Sequence, residues 1–369
     1  MTFSGPATRP VEAGPHPEYD VVVQSFVSVD RNLAGRRFPH ALSPAESSGI
    51  ATSLCAAARA CRFEVARTGE LDACSRSNIA ERELYSRPYL LDEKNHVAIG
   101  SHSSVWLAFN DVNHLSVRAT MPGLDVGRAW DEVSDTDELL SDALGDEGWA
   151  FDAVLGYLMS DAGFCGSGLA GHVVMHTPAL VISGLAETAF KRALEAGFVV
   201  SGAYSGIAAS GGALFELALP RTYHDPERVA LGRLEAAARA LADYERRART
   251  QLLQRNPWEI LDVVGRATGR AMGARLVSRD ETADIVSGLR LGLACGLLEG
   301  ISMATVTDLW SSLRGRFADG CRSGTAAMVE TFTGQQHEST TDEPEAALRA
   351  RALRRASSGI RFSQRYNDV

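Results

Sequence analysis

No stretch of the sequence reaches the roughly 18 unbroken apolar residues that a membrane-spanning helix requires, so no spanning helix is expected. The six cysteines, Cys55, Cys61, Cys74, Cys165, Cys295 and Cys321, form no C-x-x-C pair. That spacing argues against a zinc ribbon or a disulfide frame and fits buried, reduced thiols in a cytosol. Basic charge is not in excess either. Lys and Arg total 37 against 46 Asp and Glu, a net charge of −9 at pH 7, which gives no support for nucleic-acid or anionic-membrane binding. The opening stretch is rich in Pro, Gly and polar residues and lacks an apolar h-region, so it reads as a disordered leader rather than a signal peptide. Internal repeats are absent, and no nucleophile elbow accompanies Ser25. A cytoplasmic protein is expected, with neither nucleic acid nor membrane as partner.

What is present is an ordinary globular composition, 45% hydrophobic and 22% charged over 369 residues, enough for two or three domains. Residues 1–18 form the leader. Over 19–95 a strand-like run from Tyr19 to Phe26 precedes a helix start at Ser43, with Pro44 in the first turn and Glu46 placed to close a capping box. This part is read as mostly helical. Over 96–224, short β-prone segments (VAIGS, SVWLAF, LSVRATMPG, GHVVMHTPALVIS, GFVVSGAYS and ALFELALP) are separated by Gly, Asn and Pro signals, with helices between them, an α+β layer. Helical periodicity dominates 225–333, with Asn256 and Ser278 as N-caps and Pro257 at a first helical position. Residues 334–369 comprise a polar linker, one basic helix from Glu345 to Ala356, and a tail.

Four stretches match a known pattern. In QSFVSVDRNLAGRRFPHALS, Arg31, Asn32, Leu33, Phe38 and Pro39 fit an R-N-L-x-x-x-x-F-P run that follows a strand. FNDVNHLSVRATMPG keeps Asn110, His114, Pro122 and Gly123 of an N-E-E-D-H-x-R segment. WAFDAVLGYLMSDAGFCGSGLAGHVVMHTPAL keeps Phe151, Asp152, Gly156, Tyr157, Leu158, Ser160, Gly166, Gly168, Leu169, Met175, His176, Pro178, Ala179 and Leu180. SGAYSGIAASGGALFEL has the length of an R-G-x-Y-G-E-G segment, with Gly202, Tyr204, Gly212 and Phe215 fitting. In this order the chain resembles the ATP:guanido phosphotransferase (phosphagen kinase) family, most nearly the bacterial protein-arginine kinases, from Tyr19 to Arg316. The resemblance implies an antiparallel sheet flanked by helices, with a small N-terminal helical part, a catalytic-like α+β domain over 96–224 and a helical dimerisation-like domain over 225–333.

Transfer of a phosphoryl group from ATP to a guanidinium is mainly positioning plus charge stabilisation. Guanidinium forks hold phosphate oxygens in a bidentate geometry that Lys cannot copy. The resemblance implies arginines around the nucleotide at the positions held here by Phe26, Ser28, Ser116, Ala170 and Ser201. Its two carboxylates against the guanidinium fall at Val112 and Gly206, its thiol at Asp161 and an adenine-side histidine at Pro88. Ser25, Val27, Val29, His114, Gly171, His172, Val173, Val174, Gly202, Ala203, Tyr204 and Ser205 complete the degenerate pocket. Two residual candidates stand beside them, Arg118 and His176. Arg118 lies two residues beyond Ser116 and so on the same strand face, open between reaching the old phosphate site and serving as a salt-bridged strand residue.

His172 and His176, at i and i+4 on a strand, lie about 13 Å apart, too far to share a metal ion. A metal would need other ligands, for example His114 and Asp161, and no metal centre is expected. Near the C-terminus, the phosphoarginine-reading R-D-x-x-R-A motif of the arginine kinases falls on Glu345, Ala346, Arg349 and Ala350, of which only the last two match. That pocket is expected to be impaired, with Arg349 otherwise part of the solvated face of an amphipathic helix.

Losing one preorganised charge-stabilising donor typically costs about 10²–10³ in rate, and several losses need not add. The expectation is therefore a pseudokinase without a cofactor. It would be a homodimer binding a protein partner, such as an active arginine kinase, a protease adaptor or a chaperone of the same stress system. The alternative is an active ATP- and Mg-dependent transferase on protein arginine with relocated basic groups. A repurposed small-molecule or metal pocket is the third reading.

Overall fold

Apolar residues spaced two apart build the longest strand, β1 (Val22–Arg31): Val27 and Val29 face a helical core, while Phe26, Ser28 and Asp30 face the other way. The computed structural model describes residues 16–71, 75, 79, 85, 87–100, 104–202, 211–220, 226–313 and 345–364. The expectations for the leader up to residue 15, for Ala203, Tyr204, Ser205 and Gly206, and for Cys74 and Cys321 fall outside them. The four described cysteines are free thiols.

After β1 come α1 (Pro44–Ala60), β2 (Phe63–Arg67), α2 (Arg87–Leu91), β3 (His96–Gly100), β4 (Val105–Phe109), β5 (Leu115–Pro122) and α3 (Val126–Leu144). A hairpin of β6 (Phe151–Asp152) and β7 (Gly156–Tyr157) leads to β8 (Leu169–His176), then α4 (Pro178–Ile182), α5 (Ala186–Glu195), β9 (Val199–Gly202) and β10 (Leu214–Ala218). Eight of these strands form one antiparallel sheet in the order β2-β3-β4-β5-β1-β8-β10-β9. The sheet takes strands from both sides of residue 95, with β1 in its interior. The long α6 (Glu227–Arg255) returns across it.

One face of the sheet is the main core. Val27, Val29, Val117, Ala119, Val173 and Met175 pack there with Leu54 of α1, Val133 of α3 and Leu234 and Ala238 of α6, each large apolar side chain contributing about 1.5–3 kcal/mol. The α1 start is the expected capping box: the Ser43 hydroxyl accepts the Glu46 N–H at 3.3 Å and the Glu46 carboxylate accepts the Ser43 N–H at 2.8 Å. Ser43→Ala should lower stability by about 1 kcal/mol in urea unfolding. The buried Glu245 carboxylate of α6 accepts the Ala179 and Leu180 N–H groups at 3.1 and 2.9 Å, capping α4, and pairs with Arg249 at 2.8 Å.

Two blocks cover the ends of the opposite face. Over β2–β4, the Tyr85 and Tyr89 hydroxyls donate to the Leu107 and His96 carbonyls, each at 2.6 Å, above Val97, Ile99 and Trp106. Over β8 and β10 lie α7 (Pro257–Gly273), α8 (Arg279–Ala294) and α9 (Met303–Leu313), where Ile285, Leu289 and Trp310 pack on Val174 and Leu214. Ser278 closes a second capping box with Glu281. Asn256 precedes α7, but its amide donates to Glu259 at 2.6 Å and caps no backbone N–H. The basic helix α10 (Glu345–Ala356) is built into this module, with the Val277 N–H donating to the Ala346 carbonyl at 3.0 Å. The strands β11 (Leu298–Glu299) and β12 (Arg361–Phe362) pair beside it. Among the described residues, no helix is long and apolar enough to cross a membrane. Between the two blocks, among the described residues, Phe26 and His172 are half-buried and Ala170 is exposed, the part of this face that the two blocks leave uncovered.

Candidate functional site

Strand register brings the matched positions together. Phe26 lies opposite Thr120 and His172, Ser28 opposite Arg118 and Ala170, Asp30 opposite Ser116, and Ser201 opposite Glu216. Directly opposed residues share a face, so Phe26, Ser28, Ser116, Ala170 and Ser201 line the open one. Ser25, Val27, Val29, Gly171 and Val173 do not, a correction that follows from the pleat: they point into the helix-packed core. There the Ser25 hydroxyl donates to the Gly123 carbonyl at 2.7 Å and accepts the Asp125 N–H at 3.1 Å, fixing the start of α3. Val174 is covered by the C-terminal helices, Gly202 sits in the edge strand β9, and Pro88 is exposed in α2.

At the centre, the Phe26 and His172 rings stack at 4.3 Å and 12°, with Trp106 at 5.9 Å from Phe26. Burial pulls the His172 pKa down to about 4, so the ring is neutral at pH 7. Its Nε2 lies 4.0 Å from the Glu216 carboxylate, whose own pKa burial raises. Among the described strand residues, Arg118 is the one Arg or Lys that register places on this face. Its Nε donates to the Ser116 hydroxyl at 2.8 Å, and its Nη2 lies 3.5 Å from Asp111. Ser116 is in turn hydrogen-bonded to Asp30, a carboxyl pushed up by burial. Of the two roles left open for Arg118, the contacts show the salt-bridged strand residue, paired with Asp111 on this face. Asp30, Asp111, Glu216 and Trp106 were not singled out from the sequence. Asp30 was legible, being two residues beyond Ser28 on the same face.

Val112 is exposed at the rim of a cleft of about 330 Å³ that Asn110, Asp111, Ser160, Asp161, Pro39 and His40 also line. The Asp161 carboxylate accepts the Gly163 N–H at 3.0 Å and shapes the turn there.

The motif residues that do match hold structure. Arg31 Nη2 meets Asp137 at 2.6 Å, its Nη1 donates to the Asp30 and Ser167 carbonyls at 2.8 Å, and its guanidinium lies 3.6 Å from the Tyr157 ring centroid. The Asn32 amide donates to Asn113 at 2.8 Å and to the Leu158 carbonyl at 2.9 Å, and its carbonyl accepts the His114 N–H at 2.9 Å. Gly168 has φ +68°, and a Cβ there would stand 2.6 Å from the Asp30 carbonyl, so this turn requires glycine. His114 Nδ1 accepts the Leu33 N–H at 3.0 Å, and Nε2 pairs with the Arg37 carbonyl at 2.8 Å, which makes Nε2 the protonated nitrogen. With both nitrogens engaged, His114 is a bracket between loops and offers a metal nothing. Among the described residues, no three His, Cys, Asp or Glu side chains gather as a ligand set.

Two expectations are corrected by the C-terminal packing. His176 does not reach the open face: α8 and α9 bury it, with Nε2 2.8 Å from the Ser287 hydroxyl and its ring edge-on to Trp310. Arg349 is not solvated. It is buried, 3.5 Å from the Val277 carbonyl, beside buried Ala350; Ala346 bonds Val277 through its backbone, and Glu345 opens α10.

His114, His172 and His176 are all held neutral by burial, their pKa values lowered from 6.5. The unfolded chain takes up these protons and the folded chain does not. Their contribution to stability is complete above about pH 6.5 and is lost as pH falls toward 4, by up to about 1.4 kcal/mol per unit for each ring. The urea midpoint should therefore drop between pH 7.5 and 5.5, and His172→Leu should flatten that slope. A midpoint that ignores pH over this range would contradict it.

The family model for the ATP:guanido phosphotransferase C-terminal catalytic domain matches residues 48–248. The protein-arginine kinase of Symbiobacterium thermophilum is 30% identical over 305 residues, covering 80% of this chain and 85% of that protein. That of Desulforamulus reducens is 30% identical over 317 residues, covering 84% and 87%. A crystal structure of lombricine kinase superposes with a TM-score of 0.55 at 14% identity, over 67% of this chain and 70% of that one. The duplicated taurocyamine kinase from Schistosoma mansoni, with bound transition-state-analogue components, gives 0.55 at 15% identity over 74% and 42%. With the shared sheet, the ordered motifs and these similarities together, the chain belongs to the ATP:guanido phosphotransferase family.

Proposed function

We propose that this member transfers no phosphoryl group and acts as a pseudokinase, by binding another protein. The charge of the open sheet face carries the reading. A triphosphate needs converging cations, whereas among the described strand residues one guanidinium, that of Arg118, lies on this face, beside the carboxylates of Asp30 and Asp111 and with Glu216 on the same face. Where a nucleotide would meet arginines, Phe26 is stacked on a neutral His172. Such a protein needs neither ATP nor Mg. We place it in the cytoplasm, as a homodimer through the helices from 225 onward, bound to an active arginine kinase, a protease adaptor or a chaperone.

A second reading, an active transferase on protein arginine, has Arg118 in its favour, a cation on the correct face. Incubation with Mg-ATP and an arginine-rich acceptor protein separates the two. No acid-labile phosphate on arginine is expected; its time-dependent appearance would overturn the pseudokinase reading in favour of the transferase.

A further inference from the structure

Glu216 is a half-buried carboxylate without a cation. On β10 it stands directly opposite Ser201 of β9 and Val174 of β8, so its side chain shares the face that carries Phe26 and His172. Among the described residues its one neighbour within ion-pair range is His172, whose Nε2 lies 4.0 Å away, too far for a hydrogen bond, on a ring that is neutral at pH 7. Arg118 is three strands distant, about 14 Å across the sheet. Burial raises the Glu216 pKa with no cation to offset it.

Three acceptors of different kinds therefore border one gap: the Glu216 carboxylate, the lone pair that a neutral imidazole carries at Nε2 in its Nδ1–H tautomer, and the Ser201 hydroxyl. A primary ammonium, with three N–H donors set as a tripod, matches such a set better than a planar guanidinium fork does. The Phe26 ring stacked on His172 offers an apolar, cation-attracting surface to the methylene stem.

The gap also lies one strand in from an edge. Among the described residues β9 ends the sheet, with Ser201 and Gly202 exposed. An extended segment paired along β9 would present alternate side chains to this face, and a lysine opposite Ser201 has a four-carbon stem with which to reach Glu216.

We propose that Glu216, His172 and Ser201 receive the ammonium group of a lysine carried by an extended protein segment laid along β9. The inference rests on the reading that this face holds no triphosphate, and it names the chemistry of the protein partner.

The probe is the peptide acetyl-Val-Thr-Lys-Val-Thr-amide, titrated to millimolar concentration into the full chain while the histidine ring resonances are followed by NMR. The His172 signals should shift saturably. The same peptide with norleucine in place of lysine should bind about tenfold more weakly, the range of one charge-assisted hydrogen bond. Glu216→Gln should weaken the lysine peptide by a similar factor while its urea midpoint holds or rises, because a half-buried charge is gone. n-Butylammonium and spermidine, which bring the cation without a strand, should bind more weakly than the peptide. Equal binding of the norleucine peptide, or a Glu216→Gln chain that binds as the native one does, would overturn the ammonium site; tighter binding of spermidine would overturn the strand-borne source. A parallel titration with Mg-ATP keeps the two readings apart: saturable ATP shifts count against the pseudokinase, whereas silence toward both ATP and peptide sinks this inference alone.

Discussion

Arg31→Ala should cost about 3–5 kcal/mol of folding stability, the usual penalty for removing one partner of a buried ion pair. The Arg31 and Asp137 side chains are only 5% and 12% exposed, and burial already raises the Asp137 pKa against the pull of Arg31. Without the guanidinium, the carboxyl stays buried beside nothing that compensates it. Two carbonyls, those of Asp30 and Ser167, lose their donor, and Tyr157 loses the cation on its ring. The double variant Arg31→Leu/Asp137→Leu should lose much less, because both charges leave together. Urea midpoints of the two variants check this. A single-variant loss below about 0.5 kcal/mol, the range of an ordinary surface change, would show that the retained arginine is not a structural lock.

Restoring cations to the open face should create anion binding. Ala170 and Ser201 are exposed there, so Ala170→Arg and Ser201→Arg add guanidinium groups without repacking. Hydrogen bonds to charged groups contribute about 1.5–3 kcal/mol each, so two forks on phosphate should raise pyrophosphate or ATP affinity by roughly two to four powers of ten. Titration calorimetry on the double variant measures the gain. An unchanged affinity would mean that something other than missing cations closes the site, and the Phe26–His172 stack would be the feature to remove next.

Local signals were readable in the sequence, and long-range ones were not. The Ser43–Glu46 box and the strands around Val97, Val105, Val117 and Val173 follow from cap spacing and two-residue alternation, which depend only on neighbours. Alternation alone puts Phe26, Ser28 and Asp30 on one face of β1 and Ser25, Val27 and Val29 on the other. The Phe26–His172 stack needs the β1–β8 register, and the capping of α4 by Glu245 needs α6 to cross beneath it. No spacing rule announces either. His176 and Arg349 were misjudged for the same reason, because helices distant in sequence bury them.

The central claim of the proposed function is that too few cations converge on the sheet face around Phe26, Ser28 and Ala170 to hold a triphosphate, and thermal unfolding of the native chain against Mg-ATP tests it most directly. The account predicts a midpoint that does not move with nucleotide concentration. A ligand at 100 times its Kd would stabilise the fold by about 2.7 kcal/mol, so a saturable rise of several degrees would contradict it.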